Sequence, residues 1–288
     1  MRLQLVVNPA AGGGRATKLL PTVQRALADH DLVVTPTTSL QHADELTAAA
    51  IAGDRVVVAM GGDGLVGRVA GTVAALGGVM AVVPGGRGND FARMVGIPKD
   101  VVSACDVIPH ATEARVDLGY VGDRAFVGIA SVGFDSEVQE RVLRTKVPLG
   151  QLVYLYGALG TVRAWQHARF DYTVDGVAGS VSGWSVVVAN SGMYGGGMHI
   201  APSASVTDGA LDVVTISECS RRHFLKVLPS VFKGSHVTDF TVTQLRGTSV
   251  SLDADRHFRV FADGDPIGEL PCTIAVKPGA LRLLLPMR

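Results

Sequence analysis

The sequence predicts an α/β protein, with a parallel α/β domain followed by an antiparallel, β-sandwich-like second domain. Up to about Tyr120, short apolar runs alternate with amphipathic stretches, which indicates right-handed βαβ units and a parallel sheet. Beyond Tyr120 the pattern changes to short alternating strands, which is typical of antiparallel sheets with one solvated face.

The first part contains five predicted strands with helices between them. The strands are residues 3–7, 33–36, 56–60, 79–83 and 114–120, which are short and apolar. The helices lie near 16–28, 42–52, 66–76 and 89–95. The second part has predicted strands at 170–174, 184–189, 211–216, 240–245, 249–252, 258–262 and 272–276, with helices near 151–165 and 221–232. A last strand covers residues 281–285.

Composition excludes several classes of protein. Lys plus Arg and Asp plus Glu number 26 each, which argues against a nucleic-acid protein, and 47% apolar residues in 288 allow a large core. The three cysteines are isolated, so we expect neither a disulfide framework nor a thiolate zinc site, and a reducing cytosol fits best. No apolar run has the length of a signal peptide or a transmembrane segment.

A glycine loop follows the third predicted strand. Residues 60–67 read Met-Gly-Gly-Asp-Gly-Leu-Val-Gly and precede a helix. Unpaired N–H groups at a helix N-terminus, with no Cβ in the way, favour a phosphate. Asp63 would repel a bare phosphate, which suggests an Mg²⁺-nucleotide or a reacting hydroxyl nearby.

A second glycine loop, residues 84–93, follows the next strand and contains Asn89 and Asp90. Loops at the carboxyl ends of neighbouring parallel strands line one crevice, so Asp63 and Asp90 are expected to face one ligand. Near the start, residues 8–15 read Asn-Pro-Ala-Ala-Gly-Gly-Gly-Arg. We interpret this segment as a third phosphate-proximal loop, although a plain strand-to-helix turn stays open.

Residues 62–67 also match the Gly-x-Gly-x-x-Gly pattern of dinucleotide-binding dehydrogenases. The pattern follows the third strand rather than the first, and no acidic residue lies about 20 positions on to hold a ribose. Kinases of the nicotinamide dinucleotide share the Gly-Gly-Asp-Gly loop and are the closer alternative.

Five ordered segments together resemble the catalytic family of diacylglycerol kinases, the bacterial soluble lipid kinases related to sphingosine and ceramide kinases. They are residues 8–12, 61–64, 88–92, 195–212 and 263–266. The resemblance implies a two-domain lipid kinase fold. Residues 1–120 would form the nucleotide-binding domain, with the terminal strand 280–288 returning to it, and residues 121–279 the lipid-substrate domain.

The resemblance also implies roles for individual residues. The implied nucleotide contacts are Asn8, Pro9, Ala10, Ala11, Gly12, Thr37, Gly62, Asp63, Gly64, Leu65, Val66, Gly67, Arg68 and Arg87. Asp63, Asp90 and Asp265 would be catalytic, Asp265 as the base in place of the family's glutamate, with Glu269 as the alternative. Ser205, Asp208 and Ala210 would hold a structural Mg²⁺, although an Asp-Gly hairpin turn explains the same residues.

The sequence departs from the family at Leu65, Gly67, Arg68 and Arg87, where a hydroxyl, an amide and a carboxylate are replaced and two guanidinium groups appear. The activity that the resemblance implies is transfer of the γ-phosphoryl group of ATP, with Mg²⁺, to a lipid hydroxyl, here that of diacylglycerol. A regulatory protein that has lost activity is the alternative suggested by the altered loops.

A lipid substrate would bring the protein to the inner face of the membrane from the cytoplasm. Arg141, Arg144 and Lys146 could bind anionic headgroups, although a solvated helix face explains them as well. A lipid tail would need an apolar cleft between the domains. The oligomeric state is left open, a homodimer included.

Overall fold

The computed structural model describes residues 1–144 and 152–287. Its first part consists of β1 (Arg2–Val7), α1 (Ala11–Ala26), β2 (Asp31–Pro36), α2 (Leu40–Ala52), β3 (Val56–Gly61), α3 (Asp63–Leu76), β4 (Met80–Pro84), α4 (Asp90–Met94), α5 (Val101–His110) and β5 (Thr112–Val121). Strands β1 to β4 are mutually parallel, as the sequence predicts, and they lie in the order β2-β1-β3-β4. The helices are amphipathic and bury their apolar residues on the two faces of this sheet.

The second part begins with β6 (Arg124–Phe126), β7 (Ile129–Gly133), α6 (Phe134–Arg144), α7 (Leu152–Ala164), β8 (Ala168–Val174) and β9 (Val177–Ala189). It continues with β10 (Leu211–Ser217), α8 (Arg221–Val227), β11 (Val242–Gly247), β12 (Ser249–Ala254), β13 (Arg259–Ala262), β14 (Asp265–Glu269) and β15 (Cys272–Leu285). Two 3₁₀ helices, Leu228–Lys233 and Ser235–Thr238, follow α8. Pairing among β7 to β14 is antiparallel, as predicted.

Strand β15 joins the two parts of the fold. The predicted strands 272–276 and 281–285 are one strand with a register shift between Lys277 and Leu281. It pairs antiparallel with β5 along its length, and Leu283 pairs in parallel with Met80 of β4. The end of β15 therefore lies beside β4 of the first part.

The inference that β5 continues the parallel βαβ series is wrong. Its neighbours β15 and β6 are both antiparallel to it, so the strand runs opposite to β4. The apolar pattern gives no direction, because a buried strand reads alike in either orientation.

Several element boundaries also differ from the predictions. The predicted strand 240–245 begins at Val242, since Phe240 is 83% exposed. The predicted helix 151–165 is observed from Leu152, and Gln151 lies outside the described residues, as does Lys146. Among the described residues, no helix has both the length and the apolar character that crossing a bilayer requires.

Candidate active site

Three glycine-rich loops meet at the carboxyl edge of β1, β3 and β4, because parallel strands present the same ends to one side of the sheet. In the first loop Asn8 turns the chain by accepting a hydrogen bond from Ala10 N at 3.0 Å. Gly12, Gly13 and Gly14 then have φ angles of 63°, 70° and 88° inside the segment assigned to α1. Only glycine adopts three consecutive left-handed conformations without strain, so the backbone here stays open to a ligand.

The other two loops touch through their backbones. Gly85 N and Gly86 N both donate to Gly61 O, at 2.9 and 3.0 Å. Asn89 fixes the second loop by accepting from Gly86 N at 2.8 Å and donating to Gly86 O at 3.1 Å. A side chain at Gly86 would collide with Gly62, which explains why the second loop needs glycine at the contact.

The carboxylates of Asp63 and Asp90 face the same glycine, as the sequence predicts for one crevice. A Cβ placed on Gly88 would lie 3.2 Å from Asp63 Oδ2 and 2.9 Å from Asp90 Oδ2. Asp63 begins α3 and accepts from Phe91 N at 3.0 Å, while Asp90 Oδ2 accepts from Gly196 N at 2.6 Å. Burial, reinforced by the charge of Asp90, raises the pKa of Asp63.

The second part of the chain brings Asp263 to this pair. Asp263 has φ 52° in the turn between β13 and β14, and it accepts from Val127 N at 2.8 Å and Gly128 N at 2.9 Å. Burial, with the charge of Asp63 as a further cause, raises the pKa of Asp263 to about 7. Both carboxylate oxygens have backbone donors, so this side chain positions the turn against α3.

Asp265 follows at the start of β14 and faces the first turn of α3. A Cβ at Gly64 would collide with Asp265 Oδ2, and one at Gly67 would lie 2.5 Å from Asp263 Oδ2. Burial raises the pKa of Asp265, and the Arg124 guanidinium opposes the shift. Gly67 is one of the positions at which the sequence departs from the family. Because it has no side chain, it leaves room for Asp263.

The remaining predicted nucleotide contacts are of three kinds. Thr37 is buried at the end of β2, where its N–H donates to Val7 O at 2.7 Å, so it lies at the same edge. Leu65 and Val66 are buried in the core of the first part and offer the crevice only backbone groups. Arg68 forms a bidentate pair with Asp44 of α2, at 2.9 and 2.8 Å from Arg68 Nε. The structure therefore directs Arg68 towards α2.

Arg87 is exposed beside the first loop, since a Cβ on Gly13 would lie 3.3 Å from its Nη2. Two further arginines that the sequence reading left out lie nearby. Arg15 Nη1 donates to Gly86 O at 3.4 Å, and Arg93 Nη1 approaches Asp90 Oδ1 at 3.4 Å. In the sequence, only their positions indicate that they lie near the site: Arg15 ends the first glycine run, and Arg93 lies one turn after Asp90.

At the predicted metal loop, Asp208 is already engaged by protein donors. Its Oδ1 accepts from Ala210 N at 3.1 Å, and its Oδ2 pairs with Arg246. Ser205 contacts Thr207 through its hydroxyl at 3.2 Å. A metal ion here would have to displace Arg246, so the observed arrangement fits a plain turn better, although this turn lies in the loop between β9 and β10 and not in a hairpin, and the metal site stays a prediction.

Asp117 of β5, which the sequence did not indicate as a site residue, holds this loop in place. Its Oδ2 accepts from Gly209 N and its Oδ1 from Gly279 N, both at 2.7 Å, while Asp117 N donates to Val206 O. The carboxylate therefore ties β5 to the loop and to the irregular middle of β15. In the described ranges, 1–144 and 152–287, no group of three or more His, Cys, Asp or Glu side chains could hold a metal ion.

A small apolar cavity of about 40 Å³ lies in the second part of the chain, and its walls contain none of Asp63, Asp90, Asp263 and Asp265. Its walls include Asp135, Tyr194, Phe224, Val231 and Val242, all from the second part of the chain rather than from between two domains. Burial raises the pKa of Asp135 to about 6, with hydrogen bonds from Tyr194 and Ser185 opposing the shift. A larger open concavity of about 560 Å³ on β8, β12 and β15 contains none of the site carboxylates.

Comparison with known proteins covers nearly the whole chain. The model of the diacylglycerol kinase catalytic domain matches residues 2–121, and that of the YegS C-terminal NAD kinase beta sandwich-like domain matches residues 128–285. A protein named diacylglycerol kinase from Mycobacterium tuberculosis H37Rv is 32% identical over 99% of this chain and 95% of the relative.

Two further matches agree with these. A protein named probable lipid kinase YegS-like from Pseudomonas syringae pv. tomato is 30% identical over 83% of this chain and 78% of its own length. The crystal structure of a diacylglycerol kinase from Bacillus anthracis superposes with a TM-score of 0.80 at 24% identity, covering 99% of this chain and 96% of that one. At that identity, the structural match shows the fold alone.

Proposed function

The chain belongs to the diacylglycerol kinase family and is a lipid kinase, and we propose that it transfers the γ-phosphoryl group of ATP to the free hydroxyl of diacylglycerol, giving phosphatidic acid. The observation that carries the proposal is that a helix N-terminus suited to phosphate and a carboxylate suited to accept a proton lie together at α3. The N-terminus of α3 and the glycine loops lie on one side, where the first N–H groups of a helix lack intrahelical partners, and Asp265 contacts Gly64, the neighbour of Asp63, on the other.

In the proposed reaction the three loops hold the ATP phosphates, and Arg87 and Arg15 lie on the loops where guanidinium groups meet phosphate oxygens well. Mg²⁺, when bound, would neutralise phosphate charge. Its protein ligands would be the Asp63 and Asp90 carboxylates, which fit because Mg²⁺ sites often combine one or two carboxylates with substrate phosphates.

We assign the base to Asp265. A general base must reach the proton it accepts, and a carboxylate whose pKa is raised by burial binds that proton more readily at neutral pH. Asp263 is less suited, because Val127 N and Gly128 N already donate to its two oxygens. Proton transfer to Asp265 and attack on the γ-phosphorus release ADP.

The test is to incubate the protein with labelled ATP, Mg²⁺ and a panel of lipids in mixed micelles, with nicotinamide dinucleotide as a parallel acceptor. Labelled phosphatidic acid is the expected product, and Asp63→Ala should abolish it whereas the exposed Asp29→Ala should not. Labelling of the dinucleotide or of another lipid, with none of diacylglycerol, would overturn the proposed acceptor. The family relatives favour the lipid, and we place the enzyme in the cytoplasm, acting at the inner face of the membrane.

A further inference from the structure

The apolar cavity that Tyr194 and Phe224 line is too small for the acyl chains of a lipid. Its volume is about 40 Å³. Sites for small organic ligands enclose roughly 300–1,000 Å³. If the acceptor is a lipid, which rests on the proposed function, this cavity does not hold its chains, and they can stay in the bilayer while its hydroxyl reaches the site. The protein then needs a surface, close to the cavity, that holds it against the bilayer.

Residues 221–240, which we term the docking segment, form one wall of the cavity. They comprise α8 and the two 3₁₀ helices, and Phe224, Val231 and His236 line the cavity from this side. The segment is tied to the catalytic edge by a short hairpin, Tyr194 to Met198. His199 N, next to this hairpin, donates to Val231 O at 2.9 Å, and Gly196 N within it donates to Asp90 Oδ2 at 2.6 Å.

The docking segment exposes three large apolar side chains. Leu225, Phe232 and Phe240 are 42%, 55% and 83% exposed. Phe240 lies over α8, with its ring centroid 5.0 Å from that of His223. Large aromatic side chains this exposed, grouped on one short segment, indicate an interaction surface rather than scattered surface residues.

The excess of basic residues in the docking segment indicates that its partner is anionic. Residues 221–240 contain four Lys or Arg and one acidic residue, Asp239, whereas the whole chain is balanced at 26 of each sign. Asp239 is paired with His223 at 3.0 Å. Arg222, Lys226 and Lys233 are exposed beside the apolar side chains. Basic residues interspersed with exposed Leu and Phe are the combination that binds the interface of an anionic membrane.

We propose that the docking segment binds an anionic lipid bilayer and so holds the active site over the membrane that contains the acceptor. The partner is the negatively charged bilayer surface: Leu225, Phe232 and Phe240 enter the headgroup region, and Arg222, Lys226 and Lys233 contact the anionic headgroups.

Co-sedimentation with vesicles tests the surface without any enzymatic readout. The vesicles are phosphatidylcholine with phosphatidylglycerol, and phosphatidylcholine alone. Phe232→Ser/Phe240→Ser and Lys226→Glu/Lys233→Glu should each lower partitioning onto the anionic vesicles by about tenfold or more, because the apolar and the electrostatic contributions are both needed. The matched controls are Leu76→Ser/Val177→Ser, at other exposed apolar positions, and Arg25→Glu/Lys99→Glu, with the same change in charge.

Both controls should partition like the parent, and far-UV circular dichroism verifies that all four variants are folded. The proposal is overturned if the parent does not bind anionic vesicles or if the docking variants bind as the controls do. Light scattering tests whether a second copy of the chain binds this surface instead. If the parent is a dimer, and the Phe232→Ser/Phe240→Ser variant is a monomer that binds vesicles as the parent does, the surface is an interface between two copies.

An activity measurement connects the surface to the reaction. The docking variants should lose turnover of long-chain diacylglycerol in anionic vesicles and keep parental turnover of dispersed dioctanoylglycerol, which needs no bilayer. Equal activity of parent and docking variants on vesicles would contradict the role in catalysis. If the parent phosphorylates neither form, the proposed function fails, whereas the sedimentation result still decides whether the surface binds membranes.

Discussion

Asp265 and Glu269 are two carboxylates on the same strand, β14, but only the first faces α3. Glu269 is exposed at the far end of the strand. We expect Asp265→Asn to lower kcat by about 10²-fold or more, since general base catalysis contributes roughly that much, with little change in KM for ATP. Steady-state kinetics with both substrates varied measures this.

The matched control for Asp265→Asn is Glu269→Gln, which removes the same charge four residues on and should retain parental kcat. If the Glu269 variant lost turnover and the Asp265 variant kept it, the base would be Glu269 and the alignment of the 263–266 motif would shift.

Asp263 makes folding stability depend on pH. Its pKa is about 7 in the folded protein, against an ordinary value of 3.8, because burial and Asp63 disfavour the charge. Because the pKa is raised, the folded state binds this proton more tightly than the unfolded state does. The contribution of Asp263 to the free energy of unfolding is therefore fully present below about pH 4 and is lost as the pH rises through 7.

We expect Asp263→Asn to flatten the decline of the unfolding free energy between pH 4 and 7, measured by urea denaturation at several pH values. The surface variant Asp29→Asn should keep the parental slope. A variant at Asp263 with the parental slope would assign the pH dependence to Asp135, Asp63 and the other carboxylates with raised pKa.

At the scale of elements, the first turn of α3 and the β13–β14 turn fit together because glycine occupies positions 64 and 67. Gly64→Ala should raise the helix propensity of α3, by up to about 1 kcal/mol in an ordinary helix. Its methyl group would nevertheless collide with the Asp265 carboxylate. We therefore expect kcat to fall sharply, measured beside the thermal midpoint.

Gly53→Ala is the control for that substitution. A Cβ on Gly53 would lie 3.4 Å from Ala49 O, an ordinary contact, and the residue is remote from the carboxylates. Parental activity in Gly64→Ala would show that Asp265 does not need its observed place against α3.

The loop at Asp208 allows a direct test of the predicted structural Mg²⁺. Asp208→Asn should weaken any stabilisation by Mg²⁺, because it removes the only side-chain charge of the predicted metal loop. The measurement is the thermal midpoint with and without Mg²⁺, and Asp253→Asn on the surface of β12 is the control. An identical response to Mg²⁺ in parent and Asp208→Asn would favour a plain turn held by Arg246.

The sequence predicted the parallel strands and the loops at their ends because these depend on local patterns: apolar runs followed by glycine. It placed Asp63 and Asp90 together for the same reason, since neighbouring parallel strands share an edge. Asp263 and Asp117 were missed because their partners are backbone groups more than 90 residues away in the chain. The direction of β5 was missed because it is set by pairing with β15, which is equally distant.

At the scale of the whole molecule, β15 makes the two parts of the fold one hydrogen-bonded unit. It pairs with β12 at Cys272 to Ala275 and with β4 at Leu283, so the strands of both parts form one continuous sheet. The Asp263 turn adds a second connection through α3. Separate unfolding of either part would break these contacts, so we expect one cooperative transition even though the chain exceeds the usual two-state size.

Both tryptophans, Trp165 and Trp184, are buried in the second part, where their rings stack at a centroid distance of 6.1 Å. Tryptophan fluorescence therefore reports that part, whereas far-UV circular dichroism is dominated by helices of the first. Leu5→Ala, in the fully buried centre of β1, should cost about 2–5 kcal/mol and lower the thermal midpoint seen by both probes equally. The exposed Leu76→Ala should move neither. A Leu5→Ala variant whose circular dichroism midpoint falls while its fluorescence midpoint stays would mean that β15 does not couple the two parts, and the catalytic pairing of α3 with Asp265 would then depend on ligand binding to hold it together.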